Sequence, residues 1–211
     1  MLHYNTKMNI ITNNMSFINS SGYLGLYMGP MYSGKTSKLL ELYKQYDFCK
    51  INTLVINFEG DTRYSNNMLS THDKKMIPCV KAIELSHIAD ILNENAIISN
   101  DFINCKVILI NEGQFFKDIV SWVIMAIGPK YKKTVHICGL DGDFKRQKFG
   151  DWLDLIPLCD KIEKLYSFCS DCKQQPAIFS YRLTEETEQT IIGSSCYVPL
   201  CRQCYENRHT T

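Results

Sequence analysis

The sequence predicts an α/β fold in which a phosphate-loop parallel sheet is flanked by helices and followed by a small β module. Three observations predict this fold. Continuous apolar runs, typical of strands buried on both faces, alternate with segments of helical periodicity. A glycine-rich motif lies between the first apolar run and the first helical segment. Two Cys-x-x-Cys pairs enclose the β-rich segment near the C-terminus.

Four apolar runs are expected to form the sheet. They span Tyr23 to Met28, Thr53 to Phe58, Val107 to Ile110, and Thr134 to Leu140. Helical spacing follows the first run and recurs at residues 83–92 and at residues 119–127, where Gly128-Pro129 ends the pattern. Because parallel strands present their carboxyl ends at one edge, the ligand site is expected there.

The chain of 211 residues divides into three predicted parts: a flexible tail at 1–22, a nucleotide-binding α/β domain at 23–165 and a metal-binding module at 166–211. A formal net charge of +1 argues against strong nonspecific attraction to nucleic acid or membranes. We find neither a membrane-length apolar run nor a secretion signal. These features favour a cytoplasmic protein with no membrane or nucleic-acid partner.

The glycine-rich motif matches the phosphate-binding loop G-x-x-x-x-G-K-[ST]. Its backbone N–H groups and the following helix N-terminus are expected to bind phosphates. Lys35 would reach the terminal phosphates, and Thr36 would ligate magnesium. The predicted phosphate-binding residues are Gly29, Pro30, Met31, Tyr32, Ser33, Gly34, Lys35, Thr36 and Ser37. The motif predicts that the chain binds a nucleoside triphosphate.

Asn111 and Glu112 follow the short apolar run at 107–110. In phosphate-loop enzymes, an acidic residue at the end of such a strand commonly binds magnesium. Glu112 can also accept a proton from a hydroxyl that attacks the terminal phosphorus. Asn111 has no negative charge to offset that of a metal ion. The sequence therefore predicts Glu112 as a general base and leaves the contribution of Asn111 open, with a solvated loop acid as the alternative for Glu112.

Four of the ten cysteines form two close pairs, Cys169/Cys172 and Cys201/Cys204. Four thiolates from two such pairs can close a tetrahedral shell around one zinc ion. A closed shell leaves no position for substrate, so the predicted zinc is structural. The long stretch between the pairs predicts a functional loop anchored by that metal.

In combination, the motifs resemble the zinc-containing thymidine kinases of animals, bacteria and large DNA viruses. The resemblance rests on the phosphate loop, Asp61-Thr62-Arg63-Tyr64, Thr71-His72-Asp73, Glu112-Gly113-Gln114-Phe115-Phe116, Gly139-Leu140-Asp141-Gly142 and the cysteine pairs. It extends from about Leu24 to Tyr205.

The resemblance implies magnesium-assisted transfer of the γ-phosphate of ATP to the 5′-hydroxyl of thymidine or deoxyuridine, giving a monophosphate in nucleoside salvage for DNA synthesis. It implies catalytic roles for Glu112, Lys35 and Arg63, and phosphate contacts from Asp61 and Arg63. It also implies a lasso loop that grips the pyrimidine, a homotetramer, and inhibition by thymidine triphosphate. The implied substrate-binding residues are Met31, Phe115, Leu140, Phe144, Phe149, Ser180, Gln189, Thr190, Ile191, Ile192, Gly193 and Tyr197.

The sequence departs from the family pattern at Asn111, where the family has Asp, and at Gly193-Ser194, where it has Gly-Gly. The first departure motivates an alternative, a catalytically weakened nucleoside-binding or regulatory protein. A further alternative is an unrelated phosphate-loop ATPase with a nucleic-acid-binding zinc ribbon. The slightly acidic balance of the segment between Cys169 and Cys204 disfavours that last reading.

Overall fold

A computed structural model of the chain describes residues 21–60, 68–70, 75–93, 95–96, 98–189 and 196–208. The predicted tail therefore lies almost wholly outside the described residues. The strands are β1 (Tyr23–Met28), β2 (Thr53–Phe58), β3 (Met68–Ser70), β4 (Met76–Pro78), β5 (Val80–Ala82), β6 (Val107–Ile110), β7 (Thr134–Gly139), β8 (Lys161–Lys164), β9 (Ser167–Phe168), β10 (Pro176–Ala177), β11 (Phe179–Arg182) and β12 (Tyr197–Leu200). The α-helices are α1 (Lys35–Phe48), α2 (Asn100–Asn104), α3 (Ile119–Ile127) and α4 (Arg202–Asn207), and 3-10 helices span Leu85–His87, Gly113–Phe115 and Asp151–Leu158.

Six strands form one parallel sheet in the order β5-β2-β6-β7-β1-β8. All four predicted apolar runs lie in this sheet, so the predicted α/β class is confirmed. β6 is central and fully buried, as its uninterrupted apolar sequence predicts. The carboxyl ends of β1, β2, β6 and β7 meet at one edge, where the phosphate loop also begins.

Apolar side chains cover both faces of the sheet. On one face, Leu39, Leu42 and Tyr46 of α1 pack against Val55 and Leu109. On the other face, a larger cluster surrounds the indole of Trp122 in α3 and that of Trp152, both fully buried. The sheet is therefore a central layer between two helical layers, which is the arrangement that parallel strands require.

A small module follows the sheet and has its own apolar cluster. β9 pairs with β10, and β11 pairs with β12, both antiparallel. Ala177, Leu200 and Tyr205 form the cluster together with Cys169 and Cys201. The boundary that we predict near Leu165 remains a prediction, although the last sheet strand ends at Lys164.

The junction before the module contacts the start of the phosphate loop. The Leu165 N–H donates to the carbonyl oxygen of Met28 at 2.7 Å. A Cβ at Gly29 would lie 2.4 Å from the Leu165 carbonyl oxygen, so only glycine fits there. The first residue of the loop is thus packed against the chain segment that leads into the module.

The predicted helix at residues 83–92 is wrong. The structure has a 3-10 helix at Leu85–His87 followed by turns. The carboxylate of Asp118 accepts hydrogen bonds from the Leu85 and Ser86 N–H groups at 3.1 and 2.8 Å, and the Trp122 indole donates to the Ala89 carbonyl at 2.8 Å. Leu85 and Ile91 of this segment are buried in the same apolar cluster as α3, whereas Ile83 and Leu92 are exposed. The segment is irregular because tertiary contacts, rather than helical hydrogen bonds, satisfy its backbone groups.

Among the residues that the structure describes, no helix combines the length and the apolar character needed to cross a membrane.

Candidate active site

The phosphate loop adopts a conformation suited to binding anions. Gly34 has φ +82°, a left-handed conformation that glycine adopts without strain. It precedes α1, a helix of 14 residues, and no side chain caps the first turn. The N–H groups at the start of α1 therefore remain directed at the loop, where the helix dipole adds positive potential.

Two side chains of the loop fit a phosphate ligand. The hydroxyl of Ser33 is buried and has no hydrogen-bond partner within the described part of the chain. Buried polar groups normally have a partner, so this hydroxyl suits a ligand oxygen. The ammonium of Lys35 donates to the Pro30 carbonyl oxygen at 2.6 Å, which holds its charge over the loop. The structure describes all nine predicted phosphate-binding residues of the loop, from Gly29 to Ser37.

A buried histidine connects the helix that follows the loop with the sheet. The ring nitrogens of His136 in β7 contact the hydroxyls of Tyr46 at 2.8 Å and Tyr27 at 3.3 Å. Burial, followed by the nearby positive charges of Lys161 and Lys38, lowers the pKa of His136 from 6.5 to about 3. His136 is therefore neutral at physiological pH, and it orients Tyr46 of α1 against β1 and β7.

Glu112 lies immediately beyond β6 at the same edge of the sheet. Its backbone is left-handed, with φ 57° and ψ 46°, a strained conformation for a side chain other than glycine. The Glu112 carboxylate accepts a hydrogen bond from the Gln114 amide at 2.6 Å. Strained residues of this kind concentrate at functional sites, which is consistent with the predicted role of Glu112.

Asn111 is held by a second buried amide. Its Nδ2 donates to Oδ1 of Asn57 in the neighbouring strand β2 at 2.9 Å, and both side chains are buried. With the donor end facing Asn57, the Asn111 oxygen is the end that can face a ligand. A neutral amide pair therefore occupies the position where a carboxylate is expected.

The predicted aromatic residues separate into two groups. Phe115 stacks on Phe58 with ring centroids 4.9 Å apart and contacts the edge of Phe149 at 5.5 Å. Phe144 lies instead beneath the guanidinium of Arg182, 3.6 Å from the ring centroid. Phe115 and Phe149 thus form one wall near Glu112, whereas Phe144 contacts the C-terminal module.

Hydrogen bonds join the module to the sheet part of the site. The Met31 N–H in the phosphate loop donates to the Ser180 hydroxyl of β11 at 2.9 Å. The Gln189 amide donates to the Asp143 carboxylate at 2.9 Å. Asp143 also accepts from the backbone N–H groups of Lys145 and Gln147, which fixes the loop that carries Phe144.

Arg182 makes several polar contacts within the module. Its buried guanidinium donates to the carbonyl oxygens of Glu186 at 2.8 Å and Gln189 at 3.1 Å, and its Nε to the Tyr197 hydroxyl at 3.1 Å. It also donates to the Glu188 carbonyl. Arg182 therefore orders residues 186–189 and orients Tyr197 through a planar set of donors.

The four paired cysteines come together in the module. Their Sγ atoms all lie within 4.8 Å of one another, which fits a shell around one metal ion. Although burial disfavours the Cys169 thiolate, backbone hydrogen bonds from Cys201, Cys172 and Asp171 lower its pKa to about 6. The hydrogen bond with Cys201, together with burial, raises the pKa of Cys204 to about 12. This cluster could bind a zinc ion, with release of the remaining thiol protons.

Comparison with known proteins identifies the family. The family model described as thymidine kinase matches residues 22–205. The chain belongs to the thymidine kinase family. It is 40% identical over 187 residues to a thymidine kinase of Yaba monkey tumor virus, covering 88% of this chain and 95% of that protein. It is 36% identical to a thymidine kinase of sheeppox virus, covering 87% and 97%, and 38% identical to one of rice, covering 87% and 66%.

The thymidine kinase match spans both the sheet and the module, so all the groups described above lie inside the matched region. The described members of the predicted site lie in the phosphate loop, in the segments that follow β6 and β7, and in the module. Some predicted residues lie outside the described part of the chain: Asp61, Arg63, Thr190, Ile191, Ile192 and Gly193.

Sequence reasoning missed three polar residues of this thymidine kinase site. Arg182, Asp143 and Gln114 are not among the predicted site residues, although Gln114 belongs to the motif at 112–116. Arg182 lies within a β-like run of the sequence, and this could have marked it. A cation that is buried in a strand needs several hydrogen-bond acceptors around it. For Asp143 and Gln114, only their closeness to strand ends gave any indication.

Proposed function

We propose that the chain phosphorylates thymidine or deoxyuridine, transferring the γ-phosphoryl group of ATP to the 5′-hydroxyl. The observation that carries the proposal is the position of Glu112 at the end of β6, at the sheet edge where the phosphate loop also begins. Membership of the thymidine kinase family supports the choice of acceptor. No comparison supports the alternative of a weakened regulatory protein.

The phosphate loop would hold the triphosphate of ATP. Backbone N–H groups before α1 and the Ser33 hydroxyl are its neutral donors, and Lys35 supplies a positive charge. Magnesium, when bound with the nucleotide, offsets phosphate charge; Thr36 and the Asn111 amide oxygen are the residues that would hold it. Arg63 remains a proposed further cation on the phosphates.

Glu112 would act as the general base. Its carboxylate accepts the proton of the 5′-hydroxyl as that oxygen bonds to the γ-phosphorus and the bond to the β-phosphate oxygen breaks. Because this transfer requires a fixed carboxylate, the strained backbone of Glu112 and its hydrogen bond from Gln114 favour the assignment.

The C-terminal module would complete the nucleoside pocket. Ser180 is held against Met31, and Tyr197 and Gln189 are held by Arg182 and Asp143. The four cysteines would bind one structural zinc ion, which fixes the base of the module. We also propose a cytoplasmic homotetramer that is inhibited by thymidine triphosphate, on the basis of the family resemblance alone.

The test is ATP-dependent phosphorylation of thymidine by the purified chain, beside Glu112→Gln. The matched control is Glu41→Gln, the same exchange at an exposed position of α1. We expect Glu112→Gln to lower kcat about 100-fold or more and Glu41→Gln to leave it unchanged. A wild-type protein no faster than Glu112→Gln would contradict the proposal.

A further inference from the structure

Gln114 uses both ends of its side-chain amide. Its Nε2 donates to Oε2 of Glu112 at 2.6 Å, and its Oε1 accepts from the Leu140 N–H at 3.0 Å. Only the oxygen can accept from a backbone N–H, so the Leu140 contact dictates that the amide nitrogen faces Glu112. The orientation of this donor is thus set by the end of β7.

The surrounding backbone leaves Gln114 little freedom to move. Its side chain is 5% exposed and lies in the 3-10 helix Gly113–Phe115. A Cβ at Gly139 would lie 2.8 Å from its Oε1, and one at Gly150 would lie 2.2 Å from its carbonyl oxygen. The close approach of these two glycines packs Gln114 in one place, which gives its amide a fixed position.

We propose that Gln114 is a positioning residue for the general base, holding the Glu112 carboxylate at a fixed distance from the end of β7. A glutamate side chain has several rotatable bonds, and its efficiency as a base depends on being held within reach of the reacting hydroxyl. The hydrogen bond from Gln114 restricts this rotation. Its donor is a buried amide and its acceptor is a carboxylate, a combination that gives a strong hydrogen bond. This inference rests on the proposed function and adds a second residue to it.

Two substitutions separate this role from a purely structural one. Gln114→Met removes both hydrogen bonds at similar side-chain length. Gln114→Glu keeps an acceptor for the Leu140 N–H, but it replaces the donor to Glu112 with a second carboxylate, so the two like charges repel. If Gln114 only stabilised the end of β7, Gln114→Met would lower the melting temperature and leave kcat near the wild-type value. If Gln114 positions Glu112, both substitutions lower kcat.

We expect each substitution to lower kcat for thymidine phosphorylation by about 10- to 100-fold, with the KM for ATP changed less than about threefold. The matched control is Gln45→Met, which removes a glutamine-to-glutamate hydrogen bond of 3.3 Å on the surface of α1 and leaves kcat unchanged. Wild-type kcat in Gln114→Glu overturns the inference, whatever Gln114→Met shows.

The melting temperature and metal content of each variant are measured beside the kinetics. Should Gln114→Met unfold, Gln114→Glu still decides, because an unchanged kcat in a variant that has lost the donor to Glu112 overturns the inference. A rise in the KM for ATP at unchanged kcat also overturns the inference, because it indicates a distorted nucleotide site. An inactive wild type contradicts the proposed function itself, whereas an active wild type with an active Gln114→Glu contradicts only the role of Gln114.

Discussion

The hydroxyl of Tyr205 donates to the carbonyl oxygen of Phe144 at 2.5 Å. Tyr205 lies in α4, the helix that begins directly after Cys201, while Phe144 belongs to the loop after β7. The hydrogen bond therefore joins the cysteine cluster to a predicted residue of the nucleoside pocket. Through this contact, the folding of the module around the cysteine cluster can fix the position of the Phe144 loop.

Tyr205→Phe removes this hydrogen bond and keeps the ring. We expect the free energy of unfolding to fall by about 1 kcal/mol and the KM for thymidine to rise several-fold, because the Phe144 loop loses an anchor. Steady-state kinetics and chemical denaturation measure both effects. Tyr166→Phe, at an exposed position, is the control. An unchanged KM would show that the contact does not reach the pocket.

Arg182→Lys tests the ordering of residues 186–189. An ammonium cannot reproduce the planar donors that reach Glu186, Gln189 and Tyr197, so the loop should lose order. We expect the KM for thymidine to rise about tenfold while that for ATP stays within about twofold. The control is Arg208→Lys, whose partner Asp171 lies at the surface. Equal changes in both KM values would contradict this role.

Metal analysis tests the cysteine cluster directly. We expect about one zinc per chain, since four sulfurs close one tetrahedral shell. Cys172→Ser should reduce zinc content and lower the melting temperature, whereas Cys49→Ser, outside the cluster, should do neither. A stably folded wild type free of metal would disprove the assignment.

Asn111→Asp should reduce the magnesium concentration needed for half-maximal activity by roughly threefold to tenfold. The reason is that a carboxylate adds charge to the proposed metal shell, and the Asn57 amide can turn to donate to it. A magnesium titration at constant ATP measures the change. Asn93→Asp, at an exposed turn, should not shift the titration. An unchanged requirement in Asn111→Asp would place residue 111 outside the metal shell.

His136 gives the fold a specific pH dependence. Its pKa of about 3 lies below the ordinary 6.5, so between these values the unfolded chain binds a proton that the folded chain does not. The free energy of unfolding should therefore fall as the pH drops through this window, by about 1 kcal/mol per unit. Denaturation of His136→Gln at pH 5 and pH 6 should show a slope smaller by that amount. The exposed His87→Gln serves as the control, and equal slopes in wild type and His136→Gln would contradict the prediction.

Local patterns predicted four of the six described sheet strands, missing β5 and β8, and they did not predict the polar contacts that organise the site. The run at 107–110 and the phosphate loop were recognisable because apolar continuity and glycine spacing are properties of adjacent residues. The segment after Ala82 was predicted wrongly, because Asp118, more than thirty residues later, caps its short helix. The partners of Asp143 and Gln114 likewise depend on how segments distant in sequence meet. Sequence patterns do not contain that information.

The contact between Leu165 and Met28 bears on how such a protein can be divided. A proteolytic cut near the predicted boundary would separate two parts that share a backbone hydrogen bond at the root of the nucleotide loop. Ser180 of the module also contacts that loop, because its hydroxyl accepts a hydrogen bond from the Met31 N–H. A chimera that joins the sheet domain of this protein to the module of another would therefore have to reproduce both contacts with the phosphate loop.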